Sequence, residues 1–155
     1  WLTDNLDGLR VGVEVRAPDL MTPASAAYLA DRGLAYVVVD RQDTPDAFPL
    51  WWALVEQGKA PGFTLVRWIG DDKEGPTGND ALVAPRDAQL DQWATRIAQL
   101  QAAGNEFFGY MHNPYEGHSP ASIRRLQERL ARQLALPPWP PDGAATPPPA
   151  QMTLF

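Results

Sequence analysis

The stretch GLAYVVVD, residues 33–40, indicates the fold class of this chain. A glycine that can end a helix is followed by a short run of β-branched, aromatic and other apolar residues, and an aspartate closes the run. Strands that are apolar on both faces are typical of parallel sheets, because helices cover such sheets. The stretch therefore predicts a buried parallel strand.

Three other segments carry a similar strand pattern, at residues 10–16, 63–69 and 106–112. Helical stretches separate them, and four apolar residues after the third strand recur at helical spacing: Leu90, Trp93, Ile97 and Leu100. Thr22, Asp87 and Ser119 are predicted N-caps, and Gly104 stands where a helix commonly ends. The resulting order βαβαβαβα predicts an α/β protein with a parallel sheet.

Four parallel strands are too few to close a barrel, since a full barrel of eight βα units takes about 250 residues. The chain also begins at Trp1, without an initiator methionine. We therefore expect residues 1–136 to form the carboxyl-terminal half of a TIM-like barrel. The first expected partner of this half is a missing amino-terminal half, with about four further βα units.

The composition narrows the classes of function. The chain contains no cysteine, which excludes disulfides, thiolate nucleophiles and zinc–thiolate sites and permits a cytoplasmic location. No segment approaches the run of about 20 apolar residues that spans a bilayer, so no membrane span is predicted. The net charge of −6 argues against sequence-blind binding to nucleic acid, which requires clustered lysine and arginine.

Polar side chains stand at the carboxyl ends of the predicted strands, where parallel βα folds build their sites. They are Glu14, Arg16, Asp40, Arg67 and His112. One interpretation is structural: Glu14 and Arg16 pair with each other or with Arg67, Asp40 caps or shapes the following turn, and His112 is a hydrogen-bonded structural residue. The other is an anion clamp of Arg16 and Arg67 with Glu14, Asp40 and His112 as catalytic candidates. These three could also bind a divalent metal, but no ligand spacing supports one, so the metal and any cofactor remain unknown.

The loop before the last predicted helix adds three candidate ligand-binding residues: Asn113, Gly117 and His118. Free backbone amides at the start of a helix can hold an anion. Equally, the glycine and prolines of this loop can simply shape a turn. The sequence leaves both interpretations open.

Four landmarks fall in one order along the chain: GVEVR at 12–16, AYVVVD at 35–40, LVRWIG at 65–70 and YMHNPYEGHSP at 110–120. In that order they resemble the carboxyl-terminal half of the YecE-like family, a domain of unknown function with a TIM-barrel-like fold. The resemblance covers about residues 1–136 and implies a polar pocket, but no reaction. It carries over six residues: Glu14, Arg16, Asp40, Arg67, Asn113 and Gly117. The family usually has two asparagines where His112 and Asn113 stand.

The end of the chain differs in composition from the rest. Residues 137–150 are rich in proline and predict an extended linker. The pentapeptide QMTLF, residues 151–155, resembles the bacterial sliding-clamp-binding motif, in which Leu154 and Phe155 would enter a pocket and Gln151 would bond at its rim. Alternatively, the two apolar residues fold back onto the parent barrel.

Two classes of function follow from the sequence. The first is a protein with an anion- or phosphate-binding pocket that takes part in DNA replication or repair by binding the sliding clamp. The alternative is a metal-assisted hydrolase or isomerase that acts on a phosphorylated or polyhydroxylated small molecule. The sequence contains no nucleophile elbow, phosphate loop or dinucleotide fingerprint that would name a reaction.

Overall fold

The computed structural model describes residues 8–136, where four strands alternate with four α-helices. The strands are β1 (Gly12–Val13), β2 (Ala35–Arg41), β3 (Phe63–Gly70) and β4 (Glu106–Met111). The helices are α1 (Pro23–Ala30), α2 (Phe48–Glu56), α3 (Asp87–Ala102) and α4 (Ser119–Leu130). Short 3₁₀ helices follow β1 (Pro18–Leu20) and β4 (Asn113–Tyr115). None of the helices in this part of the chain is long and apolar enough to cross a membrane.

The strands form one parallel sheet in the order β1-β2-β3-β4, which confirms the predicted α/β organisation. Val38 of β2 pairs with Val66 of β3, and Val66 pairs with Gly109 of β4. β1 is shorter than predicted, because only Gly12 and Val13 pair with β2. Among the described residues, the outer edges of β1 and β4 have no neighbouring strand.

The two faces of the sheet have different neighbours. Val38 and Val66 share one buried cluster with side chains of the helices, such as Trp51 and Trp93. Val37, Val39 and Ile69 form a second cluster. Successive side chains of a strand point to opposite faces, so this second cluster lies on the face away from the helices, which we call the open face.

A buried chain of hydrogen bonds fixes the helix-covered face. The Trp51 indole donates to Thr64 Oγ1 at 2.8 Å, and Thr64 Oγ1 donates to Asn105 Oδ1 at 2.6 Å. The Asn105 amide in turn donates to the carbonyl of Pro61 at 3.0 Å. These contacts join α2, β3 and the loop before β4, and they satisfy polar atoms that would be costly to bury alone.

The predicted helix ends are confirmed in part. Thr22 caps α1 by accepting a hydrogen bond from the backbone of Ser25, and Gly104, with φ +71°, follows the end of α3. Asp87 and Ser119 were expected as N-caps, but each is the first residue of its helix. At α3 a distant carboxylate supplies the cap, because the Glu116 side chain accepts the N–H of Arg86 at 2.7 Å.

Candidate functional site

A cavity of about 200 Å³ opens at the carboxyl ends of the strands, beside Val39 and Ile69 of the open face. We call it the mouth cavity. Four of the residues that the sequence singles out line it: Glu14, Arg16, Arg67 and His112. Arg41, Thr44 and Asp72 also line it. The cavity therefore combines three guanidinium groups, two carboxylates and one imidazole.

Glu14 is held between two arginines. Its Oε1 accepts a hydrogen bond from Arg16 Nε at 2.8 Å, and its Oε2 accepts one from Arg67 Nη1. Burial raises the pKa of the Glu14 carboxyl, but the hydrogen bonds and positive charges of Arg67 and Arg16 outweigh burial and lower the pKa overall. Glu14 is thus ionised at neutral pH, and its two oxygens are both engaged.

His112 completes the network on the other side of Arg67. Its Nε2 lies 2.9 Å from Arg67 Nη2 and 3.3 Å from Arg67 Nε. A guanidinium can only donate, so Nε2 accepts and the neutral ring carries its proton on Nδ1. Burial and the positive charge of Arg67 lower the pKa of His112. The imidazole is therefore a neutral support for Arg67.

Arg16 and Arg41 are held differently from Arg67. Each uses its Nε to bind a carboxylate: Arg16 binds Glu14 at 2.8 Å, and Arg41 binds Asp72 at 2.7 Å. Within residues 8–136, no hydrogen bond involves the terminal Nη atoms of either arginine. Both side chains are therefore oriented while their terminal donors stay available to a ligand.

Asp40 does not join this network. Its Oδ2 accepts hydrogen bonds from Trp93 Nε1 at 2.6 Å and from the hydroxyl of Tyr115 at 3.0 Å. Trp93 belongs to the helix-covered core, so Asp40 faces the side opposite to Val39. The structure therefore separates Asp40 from Glu14 and His112, which the sequence had grouped with it.

The loop after β4 holds the other three candidates, and the contacts described below are internal to the fold. Asn113 Oδ1 accepts the N–H of Ser119 at 2.9 Å, at the start of α4. Gly117 has φ +110°, and a Cβ there would lie 2.4 Å from the carbonyl oxygen of Ala81. His118 precedes α4, and its carbonyl accepts the N–H of Ser122 at 3.0 Å. None of the three lines the mouth cavity.

Sequence reasoning missed a buried acid in the same loop. Glu116 is fully buried, and its Oε1 accepts hydrogen bonds from the Arg86 backbone and from Arg125 Nη1. Arg125 and Arg129 also pair with Asp87 on α3. Glu116 therefore ties the loop after β4 to the start of α3 and to the middle of α4. The glutamate stands in a turn-like sequence, and no local pattern distinguishes it from a solvent-exposed one.

Arg41 was also missed, although the alternation of side chains offered a signal. Val37 and Val39 lie on the open face, so the next odd-numbered residue of β2 is expected there as well. A register shift lies between Asp40 and Arg41, which pair with Trp68 and Gly70 respectively. The sequence favours Asp40, the residue before Arg41, because carboxylates at strand ends are common catalytic groups.

The described residues contain no group of three or more histidine, aspartate and glutamate side chains placed to hold a metal ion. Glu14 and His112 meet through Arg67, and Asp40 lies on the other face. The catalytic and metal-binding roles considered for these residues stay predictions. Gln151, Leu154 and Phe155, together with the linker at 137–150, lie outside the described residues.

Comparisons with known proteins agree with the resemblance found in the sequence. A family model described as "Protein of unknown function DUF72" matches residues 1–145. No curated protein matches the chain. A crystal structure of a DUF72 family protein, EF0366 of Enterococcus faecalis, superposes with a TM-score of 0.63 at 16% identity, covering 88% of this chain and 52% of that one. A second crystal structure of that protein gives a TM-score of 0.63 at 14% identity, with 86% and 53% covered. The chain thus spans about half the length of these solved relatives.

Proposed function

This chain belongs to the DUF72 family, the same family as the YecE-like proteins, and we propose that its mouth cavity binds a phosphate group, either free or carried by a small molecule. The observation that carries the proposal is the arrangement of Arg16 and Arg41. Both line the mouth cavity, and both are oriented through Nε by a carboxylate. Their terminal donors match the geometry of phosphate oxygens.

Arg67 contributes to this proposed site by position and charge. Glu14 and His112 engage its Nη1, Nη2 and Nε, so its side chain is fixed in the lining of the cavity. The same contacts support binding over acid–base chemistry. Both oxygens of Glu14 and the Nε2 of His112 already accept hydrogen bonds from arginine, which makes them poor proton acceptors in this arrangement.

Titration calorimetry of the full chain with inorganic phosphate tests the proposal. We expect Arg41→Ala to weaken phosphate binding about 10- to 100-fold, because a hydrogen bond to a charged group contributes about 1.5–3 kcal/mol. Arg32→Ala is the matched control, because it removes the same charge at a position away from the mouth cavity. Arg32 stacks on Tyr28 of α1. Equal losses in the two variants, or no heat of binding in the wild type, would refute the site.

We also propose that the four-stranded sheet is half of a TIM-like barrel. The likeness to chains about twice as long supports this, as do the unpaired edges of β1 and β4 within the described residues. The proposed partner is a further set of about four βα units, such as the missing amino-terminal half that the sequence predicts.

The sequence of residues 151–155 supports a second proposal: binding to the bacterial sliding clamp, which would place the protein in DNA replication or repair and in the cytoplasm. The glutamine, the two apolar anchors and the proline-rich spacer are the features that support it. Fluorescence anisotropy of a labelled peptide of residues 147–155 with purified clamp is the direct measurement. We expect micromolar affinity, as for a small interface with two anchors. Equal binding by a Leu154→Ala, Phe155→Ala peptide would refute the proposal.

A further inference from the structure

A second cavity of about 120 Å³ adjoins the mouth cavity. Val39, Arg41 and Thr44 line both, so the two spaces are neighbours at the end of β2. On its far side the second cavity is bordered by α3, which contributes Gln89 and Gln92. We call this space the side cavity. Its position allows one ligand to contact Arg41 and reach α3.

Asp40 faces the side cavity as an oriented acceptor. Both of its donors, Trp93 Nε1 and the Tyr115 hydroxyl, bind Oδ2, and no hydrogen bond to Oδ1 occurs within the described part of the chain. Tyr115 stays protonated and able to donate, since burial and the charge of Asp40 raise its pKa. Two fixed donors on one oxygen leave the other oxygen for a ligand hydroxyl.

Apart from Arg41, which it shares with the mouth cavity, the side cavity has no available cation among the residues that the structure describes. Arg96 lines it, but its guanidinium is paired with Asp46 through both Nη atoms and lies 4.5 Å from the ring centre of Phe48 and 4.9 Å from that of Trp93. The exposed amides of Gln89 and Gln92 each offer a donor and an acceptor. Such a lining suits neutral hydroxyl groups, which both donate and accept, better than a second phosphate.

Size also favours a ligand that occupies both spaces. Sites for small molecules commonly measure about 300–1,000 Å³, and the two cavities reach the lower end of that range only together. We propose that the ligand is a phosphorylated polyol, such as a sugar phosphate. Its phosphate group binds Arg16 and Arg41, and its hydroxyl groups bind Asp40, Gln89 and Gln92. This inference rests on the phosphate site proposed above.

The experiment compares two phosphate monoesters of equal charge, methyl phosphate and ribose 5-phosphate, by titration calorimetry of the full chain. We expect the wild type to bind ribose 5-phosphate at least about tenfold more tightly, because its hydroxyl groups add several hydrogen bonds that methyl phosphate cannot make. The Gln89→Ala, Gln92→Ala double variant should lose this preference and keep its affinity for methyl phosphate. Alanine favours helix, so α3 should remain intact.

Gln99→Ala is the matched control, because Gln99 is an exposed glutamine of α3 that lies outside both cavities. It should leave both affinities unchanged. Equal binding of the two esters by the wild type, or an unchanged preference in the double variant, overturns the side cavity as a hydroxyl site and leaves the phosphate site standing. Failure of both esters and of inorganic phosphate to bind refutes the phosphate site itself, and the side-cavity proposal with it.

Discussion

Breaking the ion pair between Glu116 and Arg125 should strongly destabilise this fold, because it leaves a buried charge without a partner. Glu116 is fully buried, whereas the Arg125 side chain keeps 19% of its surface exposed. An Arg125→Met substitution preserves most of the packing volume but leaves the carboxylate without its cationic partner. Breaking a buried pair in this way costs about 3–5 kcal/mol. We expect about 3 kcal/mol, because the Arg86 backbone still donates to Glu116.

Arg129 provides a control on the same helix and of similar exposure. Its side chain is 15% exposed, but its partners Asp87 and Asp91 are 61% and 63% exposed. Water can solvate those carboxylates once the arginine is gone, so Arg129→Met should cost several-fold less than Arg125→Met. The difference between the two variants isolates the burial of Glu116.

Urea denaturation of the full chain, followed by tryptophan fluorescence, measures both costs. A loss of about 3 kcal/mol is a large fraction of the 5–15 kcal/mol typical of folded domains. Adding Glu116→Gln to Arg125→Met should recover more than half of the loss, because the uncompensated charge is then removed. Equal costs for the two arginine variants, or no recovery in the double variant, would refute the reasoning.

Three further predictions concern other parts of the fold. Gly117→Ala should destabilise the chain more than Gly104→Ala, because both residues have positive φ but only the Cβ added at Gly117 meets a backbone oxygen. Thermal unfolding measures the midpoints of the two variants, and similar midpoints would contradict the prediction. The pKa of His112 in the folded chain is lowered from 6.5, so the contribution of His112 to stability is present above pH 6.5 and is lost as the pH falls through the folded pKa. The unfolding free energy of the His112→Asn variant should therefore fall less steeply below pH 6.5 than that of the wild type. An unchanged slope would contradict this prediction. Residues 1–136 expressed alone should self-associate through the open strand edges, which light scattering would detect. A monomer that unfolds cooperatively in denaturant would count against the half-barrel.

Much of the fold could be predicted from local patterns in the sequence. The runs around Val38 and Val66 and the helical spacing of Leu90 and Trp93 predicted the parallel α/β order that the structure shows. The strand and helix ends were less accurate. The sequence predicts an N-cap at Asp87, whereas the cap of α3 comes from Glu116, about thirty residues away in the sequence. A contact between distant segments leaves no local signal.

The candidate site was predictable in composition and less so in arrangement. The sequence by itself determined which strands form and which polar residues follow them, since strand propensity and side-chain alternation are local properties. Only the tertiary structure decided that Glu14, Arg67 and His112 form one hydrogen-bonded network, that Asp40 is held by Trp93 and Tyr115 on the other face, and that Arg41 enters the mouth cavity. The physical reason is that the register between neighbouring strands, including the shift after Asp40, is set by packing across the whole sheet.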